Sequence, residues 1–160
     1  MKNMFEQICT KCECDIISVD CGNKHPFFFM KTHIKMALLR GAVFEISYGQ
    51  GMLEHPNTNR KVFLNNAMAL AKLSKGKGII VSSEASKKVF MRSPTDVVHI
   101  AQMFGLTQDQ AQLTLTQNCV RAFAHAHSRK THKGVAEVIE MKDSSDEGEE
   151  QGQESDQEMI

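Results

Sequence analysis

The stretch Lys75-Gly76-Lys77-Gly78-Ile79-Ile80-Val81-Ser82-Ser83-Glu84 constrains the fold more than any other part of the chain. Ile79, Ile80 and Val81 follow a Gly/Lys punctuator and run into a polar turn. A strand solvated on one face alternates apolar with polar residues, whereas a strand covered on both faces is apolar throughout. This run therefore reads as a buried strand of a parallel sheet, and as the central one. Upstream, Phe63, Ala67, Leu70 and Ala71 fall at i, i+4, i+7 and i+8 and give a helix one apolar face. Downstream, Ser93-Pro94-Thr95-Asp96 opens another helix, with Ser93 as N-cap, Pro94 in the first turn and Asp96 against the helix dipole. Helix, strand, loop and helix in this order make an α/β fold built from crossover connections. In such folds chemistry sits at the carboxyl ends of the strands, here Ser82 to Ser86.

The same grammar extends along the chain. Asn3 to Lys11 reads as a short helix, Asp15 to Asp20 as a strand and Cys21 to Lys24 as a turn. Pro26 and three phenylalanines precede a helix from about Lys31 to Arg40, which Gly41 stops. Val43 to Ser47 is the next strand, and Gly49 to Asn59 the loop after it. Beyond Ser93, the stripe Val97, Ile100, Ala101 and Phe104 is helical and ends at Gly105. Thr107 caps a short helix with Asp109 in its first turn, and Asn118 is expected to cap a last one running to about Arg129. Gly134 to Met141 is a final strand or an extended tail. Strand followed by helix recurs about three times, whereas a closed barrel typically takes eight such units and about 250 residues. Residues 1–142 thus read as a portion of a TIM-like barrel, with parallel strands and helices on the outer face only.

The formal net charge of zero conceals a division. Asp143 to Ile160 carries eight of the 19 acidic residues and none of the 19 basic ones, so the body before it holds an excess of eight positive charges. Such an excess favours a polyanionic partner. Residues 143–160 are poor in apolar side chains and rich in Glu, Gln, Ser and Gly, a composition that leaves a segment disordered. Such a tail brakes nucleic-acid binding by its charge, accepts phosphates, or is simply a solvated end, the plainest of the three readings. Ser144 and Ser155 are phosphorylation candidates, each with Glu three residues on. No apolar run reaches the roughly 18 residues of a membrane span, and the first residues lack a signal-peptide core. Five cysteines, an odd number, point to reduced thiols.

Candidate chemistry is sparse. Cys9, Cys12, Cys14 and Cys21 include one Cys-x-x-Cys but no second pair at zinc-knuckle spacing, so ordinary thiols are the better reading. His125, His127 and His132 lie among Arg129, Lys130 and Lys133 with no carboxylate nearby in sequence before Glu137, which suggests a cationic face rather than a ligand set. The Gly-x-Ser-x-Gly of a nucleophile elbow is absent. Lys75 to Gly78 precedes a strand, whereas a phosphate loop follows one and opens a helix. Basic residues do recur at helix ends and in loops: Arg60 and Lys61; Lys75 and Lys77; Lys87, Lys88 and Arg92; Arg121, Arg129, Lys130 and Lys133. With no recognition helix and no aromatic platform, any nucleic-acid contact would be to backbone and shape.

Several of these stretches together carry a family resemblance. Lys75 to Ala85, Met91-Arg92-Ser93-Pro94-Thr95-Asp96-Val97 and Phe104-Gly105-Leu106-Thr107 resemble the thirty-kilodalton protein subunit of ribonuclease P and MRP. Pro26-Phe27, Arg40-Gly41, Phe44-Glu45-Ile46, Asn118-Cys119 and Arg129-Lys130-Thr131 do so too, in the same order. The likeness runs to about Lys133. It implies a non-catalytic, RNA-binding scaffold subunit of a nuclear and nucleolar ribonucleoprotein that trims the 5′ leader of precursor tRNA and processes rRNA. In that family the RNA does the chemistry, and the protein is a TIM-like barrel paired with a small α/β partner. Other ribonuclease P subunits, the ribonuclease P/MRP RNA and precursor tRNA are the implied partners. The family also implies a preceding stretch of roughly a hundred residues with the first barrel strands, and a more basic C-terminal end.

The family barrel is similar to that of the polymerase-and-histidinol-phosphatase (PHP) hydrolases, which hold metals on strand-end His, Asp and Glu. Glu45 matches one ligand position of that superfamily. Where those hydrolases show an Asp and a His after two serines, Glu84 and Ser86 stand here, and the N-terminal His-x-His strand is missing. A metal-dependent phosphoesterase using Glu45 and Glu84 is therefore the rival reading. With most ligands gone, Glu45 is expected to be a buried carboxylate paired with a Lys or Arg in the barrel interior. No catalytic residue, metal or cofactor is expected. RNA contact is expected at Lys87, Lys88, Arg92, Arg129, Lys130 and Lys133, with the weight on the carboxyl-end group around Arg92.

Overall fold

The computed structural model of this protein describes residues 2–25, 28–52 and 59–130. Pro26, Phe27, Lys133, the strand or extended tail at 134–141, Ser144, Ser155 and the acidic tail lie outside the described residues. So do residues 53–58 of the expected loop.

Three parallel strands and seven α-helices make up the described part. In chain order they are α1 (Lys2–Thr10), β1 (Ile16–Ser18), α2 (Lys31–Leu39), β2 (Val43–Ser47), α3 (Gly49–Met52), α4 (Arg60–Ser74), β3 (Ile79–Ser82), α5 (Pro94–Met103), α6 (Gln108–Leu113) and α7 (Gln117–Lys130). A 3-10 turn, Lys88–Phe90, interrupts the stretch between β3 and α5. The part of the expected loop that begins at Gly49 is helical.

Among the described residues the sheet order is β1-β2-β3, so the strand from Ile79 lies at an edge and β2 is central, which corrects the expectation. The apolar run of β3 could not reveal this. An edge strand is buried on both faces when helices cover them, and the run records faces rather than neighbours. β1 pairs with β2 from Ile16↔Val43 to Ser18↔Glu45, and β2 with β3 from Phe44↔Ile79 to Ser47↔Ser82.

Side chains alternate across this register. Ile17, Phe44, Ile46, Ile79 and Val81 enter the main core with Ile34 and Ala37 of α2, Phe63, Ala67, Leu70 and Ala71 of α4, and Val97, Ile100 and Ala101 of α5. Phe63 and Phe104 meet edge to face with ring centroids 5.7 Å apart. Both helical stripes read from the sequence are therefore core. Ser93 caps α5 by accepting from the Asp96 amide, and Thr107 and Gln110 form a capping box on α6.

The second face of the sheet departs from the expectation of helices on one side only. Val43 and Ile80 form a separate buried cluster with Ala122 of α7, with Cys119 packed against it. Asn118 is not the cap of this helix but a buried residue inside it, and its Nδ2 donates to the Ile79 carbonyl at 2.8 Å. A side chain suited to capping also suits an orphan strand carbonyl, and only the packing distinguishes the two uses. At the other end of α7, His125 and Arg129 hold Asp15, which sits immediately before β1. Gly41 lets this happen. Its φ is +89°, and a Cβ there would come within 2.4 Å of the His125 ring. Helix α7 thus crosses the amino ends of the strands, on the face opposite the main core.

Candidate functional site

The carboxyl ends of the strands carry the residues first expected to matter. On the second face Ser18, Glu45, Ser47 and Ser82 form a polar patch, and the Ser47 and Ser82 hydroxyls lie 3.0 Å apart. Glu45 is half-buried, and among the described residues no Lys or Arg pairs with it, contrary to expectation. The expected cation follows from the resemblance, which puts Glu45 in a barrel interior, whereas its strand neighbours in register are Ser18 and Ile80. Glu84 is exposed in the loop beyond β3, with φ +48°. Among the described residues no three His, Cys, Asp or Glu side chains are grouped to share a metal ion.

Lys87, Lys88 and Arg92 are exposed in the same β3–α5 connection. Tyr48, itself buried, accepts from the Arg92 amide at 3.1 Å and so tethers this connection to the end of β2. Arg92 lines an open cavity of about 960 Å³ walled mainly by α5 and α6, with Tyr48 and Val81 also in its lining. Asp109 lines it as well, so the cavity carries both signs of charge.

Arg129 and Lys130 belong to the opposite end of the sheet, near the start of β1. The six expected contact residues are therefore not one surface: three sit at the carboxyl end, two at the amino end, and Lys133 lies outside the described residues. Arg129 is also engaged. Its Nε donates to Asp15 Oδ1 at 3.2 Å, its Nη2 to Oδ2 at 2.6 Å and its Nη1 to the Glu13 carbonyl. This two-pronged grip, with His125 Nδ1 2.8 Å from the same carboxylate, holds the Asp15 carboxyl below the usual carboxylate range. The His/Arg run is thus not a bare cationic face.

A second cationic cleft lies at the amino end. Lys31 and Lys35 of α2, Lys75 and Lys77 before β3, and Arg121 of α7 surround a cavity of about 670 Å³, with Leu38, Leu39 and Leu73 among its apolar lining. No carboxylate of the described residues lines it.

Burial pushes the thiol of Cys9 up to about 11 and that of Cys21 up to about 12, and it raises Cys14 as well. Cys9 and Cys21 are core residues, whereas Cys12 is exposed.

The family model of the RNase P subunit p30 matches residues 1–131, which takes in every described residue and most of the chain. The chain belongs to the RNase P subunit p30 family. It is 30% identical over 138 residues to ribonuclease P protein subunit p30 of Mus musculus, covering 86% of this chain and 51% of the relative. It is 33% identical over 133 residues to probable ribonuclease P protein subunit 3 of Schizosaccharomyces pombe, covering 82% and 56%. A third relative, ribonuclease P protein subunit drpp30 of Dictyostelium discoideum, is 33% identical over 138 residues, 86% of this chain and 36% of its own length. The chain spans about half the length of the first two of these curated relatives, and less of the third.

Within this chain, two functional-looking clusters escaped sequence reading. The Asp15–His125–Arg129 cluster joins residues 110 and 114 positions apart, a separation no local pattern reports. The amino-end cleft draws its five cations from three separate stretches, each of which reads alone as solvated lysine or arginine.

Proposed function

We propose that this chain acts as a protein subunit of ribonuclease P/MRP, the ribonucleoprotein that removes the 5′ leader from precursor tRNA and processes rRNA. Its own role is to bind RNA and to scaffold, not to catalyse. The observation that carries this reading is the p30 family match across residues 1–131. The parallel order β1-β2-β3 and the helical layer behind it suit part of a TIM-like, PHP-like barrel. The proposal places the chain in the nucleus and nucleolus, with other ribonuclease P subunits, a small α/β subunit among them, and the ribonuclease P/MRP RNA as partners. The acidic segment 143–160 and the body 1–142 act as separate units in it, with Ser144 and Ser155 as phosphate acceptors. The metal-dependent phosphoesterase reading is not carried forward, because the family matched and the relatives found are ribonuclease P subunits.

Tagged chain purified from cells, with its bound RNA sequenced, tests the assignment. Enrichment of the ribonuclease P or MRP RNA is expected, and recovery of neither overturns the reading. At the residue level, Lys87, Lys88, Arg92 and Lys130 are the proposed phosphate contacts, with Lys133 beyond the described residues and Arg129 acting through Asp15. Arg92→Ala should weaken binding and make its salt slope shallower by about one unit, as for a lost phosphate contact. An unchanged slope removes Arg92 from the footprint.

A further inference from the structure

Five cations line one cleft at the amino end of the sheet, and the nearby Asp15 carboxylate is engaged by His125 and Arg129 rather than by any of them. Lys31 and Lys35 stand one turn apart on α2, so they share a face of that helix. Lys75 and Lys77 flank Gly76 in the turn into β3, and Arg121 projects from α7. All five are exposed. None pairs with a carboxylate among the described residues. Like charges gathered around one cleft repel each other, so the arrangement is stabilised by a multivalent anion rather than by the protein itself.

The cleft is built, not incidental. Gly78 keeps α2 close: its φ is +59°, and a Cβ there would come within 2.5 Å of Leu38 Cδ2. Lys75 is more telling. It ends α4 at φ +56°, a left-handed conformation that glycine or asparagine adopts with less strain. A lysine held there, with its carbonyl accepting from Gln110 Nε2 at 3.2 Å, places an ammonium at the mouth of the cleft at a cost to the fold. Strain of this kind is kept where a side chain is needed.

We infer that this amino-end cleft binds successive phosphates of an RNA backbone, as a second contact surface on the opposite end of the sheet from Lys87, Lys88 and Arg92. The inference rests on the RNA-binding role proposed above and extends it to a defined site. Lysines acting as point charges suit phosphates without reading sequence. Between them the lining is aliphatic residues, glycines, Ser74 and His125, whose ring is held by Asp15, and it includes no Phe, Tyr or Trp for a base to stack on. The contact is therefore to the backbone, and an acidic peptide is the competing occupant.

The test uses the full chain, a labelled precursor-tRNA transcript and a salt titration. Four variants are compared: Lys35→Gln with Lys77→Gln and Arg121→Gln; Lys87→Gln with Lys88→Gln and Arg92→Gln; Lys75→Gly alone; and Arg121→Lys alone. At a slope of about 0.9 per phosphate, the first variant should lose about three units of salt slope and on the order of 100-fold in affinity near 0.15 M salt. Arg121→Lys, which keeps the charge, should bind as the parent chain does. Lys75→Gly should melt at higher temperature and yet bind about fivefold more weakly, a pairing that a merely structural lysine would not produce. It also keeps the test decisive if the triple variant folds poorly. Loss in the second variant with none in the first overturns the amino-end site and leaves the RNA-binding role standing. A parent chain that does not bind the transcript overturns both. If deleting residues 143–160 raises affinity in the parent chain, and the first variant loses that response while binding the transcript normally, the cleft holds the acidic tail and the inference fails.

Discussion

Asp15 holds two cations at once, and that makes it the residue on which acid stability turns. The two hydrogen bonds from Arg129 are the main reason its carboxyl sits below the usual range, and the His125 hydrogen bond adds to them. An ordinary unfolded aspartate titrates near pH 3.9. Since the folded value is lower, the stabilisation is complete above about pH 4 and is lost as pH falls through the folded value. The melting temperature of Asp15→Asn should lie below that of the parent chain at neutral pH, and the gap should close in acid. Parallel curves between about pH 2 and pH 6 would remove Asp15 from this role. Lys75 gives the opposite case. The left-handed conformation costs about 1–2 kcal/mol and glycine about 0.5–1 kcal/mol of chain entropy, so Lys75→Gly should gain roughly 0.5–1 kcal/mol of stability.

Among the elements, α7 depends most on contacts far away in sequence. Asn118 fastens it to β3, Ala122 packs on Val43 and Ile80, and His125 and Arg129 fasten it before β1. Asn118→Ala leaves the buried Ile79 carbonyl without its donor and should cost about 1–3 kcal/mol. Gly41→Ala pushes a methyl into the His125 ring at an unfavourable φ and should cost about 1–3 kcal/mol. Both release the same helix, so the double variant should lose less than the two single losses combined. Denaturant titration of all four chains checks this, and strict additivity would mean that α7 is not one cooperative unit. Helix α5, by contrast, was fully legible: its cap, its first turn and its buried stripe are local, and all lie where the residues put them.

At the scale of the molecule, the sheet has two sides that no described strand covers. Among the described residues neither β1 nor β3 has a second strand partner. The described surface is also apolar in places, with Phe123 78%, Leu39 70% and Val120 67% exposed. Unpaired edges and apolar patches invite association. The chain expressed alone should therefore elute from gel filtration at a size that grows with concentration, and Val120→Ser with Phe123→Ser should reduce that growth. A concentration-independent monomer peak with a cooperative melt would refute it.

The sequence alone determined the three strands, helices α2 and α4 between them, the caps of α5 and α6 and the buried stripes of α4 and α5, because each depends on neighbours within a few positions and on the periods of 2.0 and 3.6 residues. It also carried the family, through motifs in the right order. Only the tertiary structure decided that β2 rather than β3 is central, that α7 covers the second face, and that Asn118 is an anchor instead of a cap. Only there, too, does Asp15 meet Arg129, and do five cations from three stretches share one cleft. These depend on pairings across scores of residues, and periodicity says which side of an element is buried but not what it is buried against.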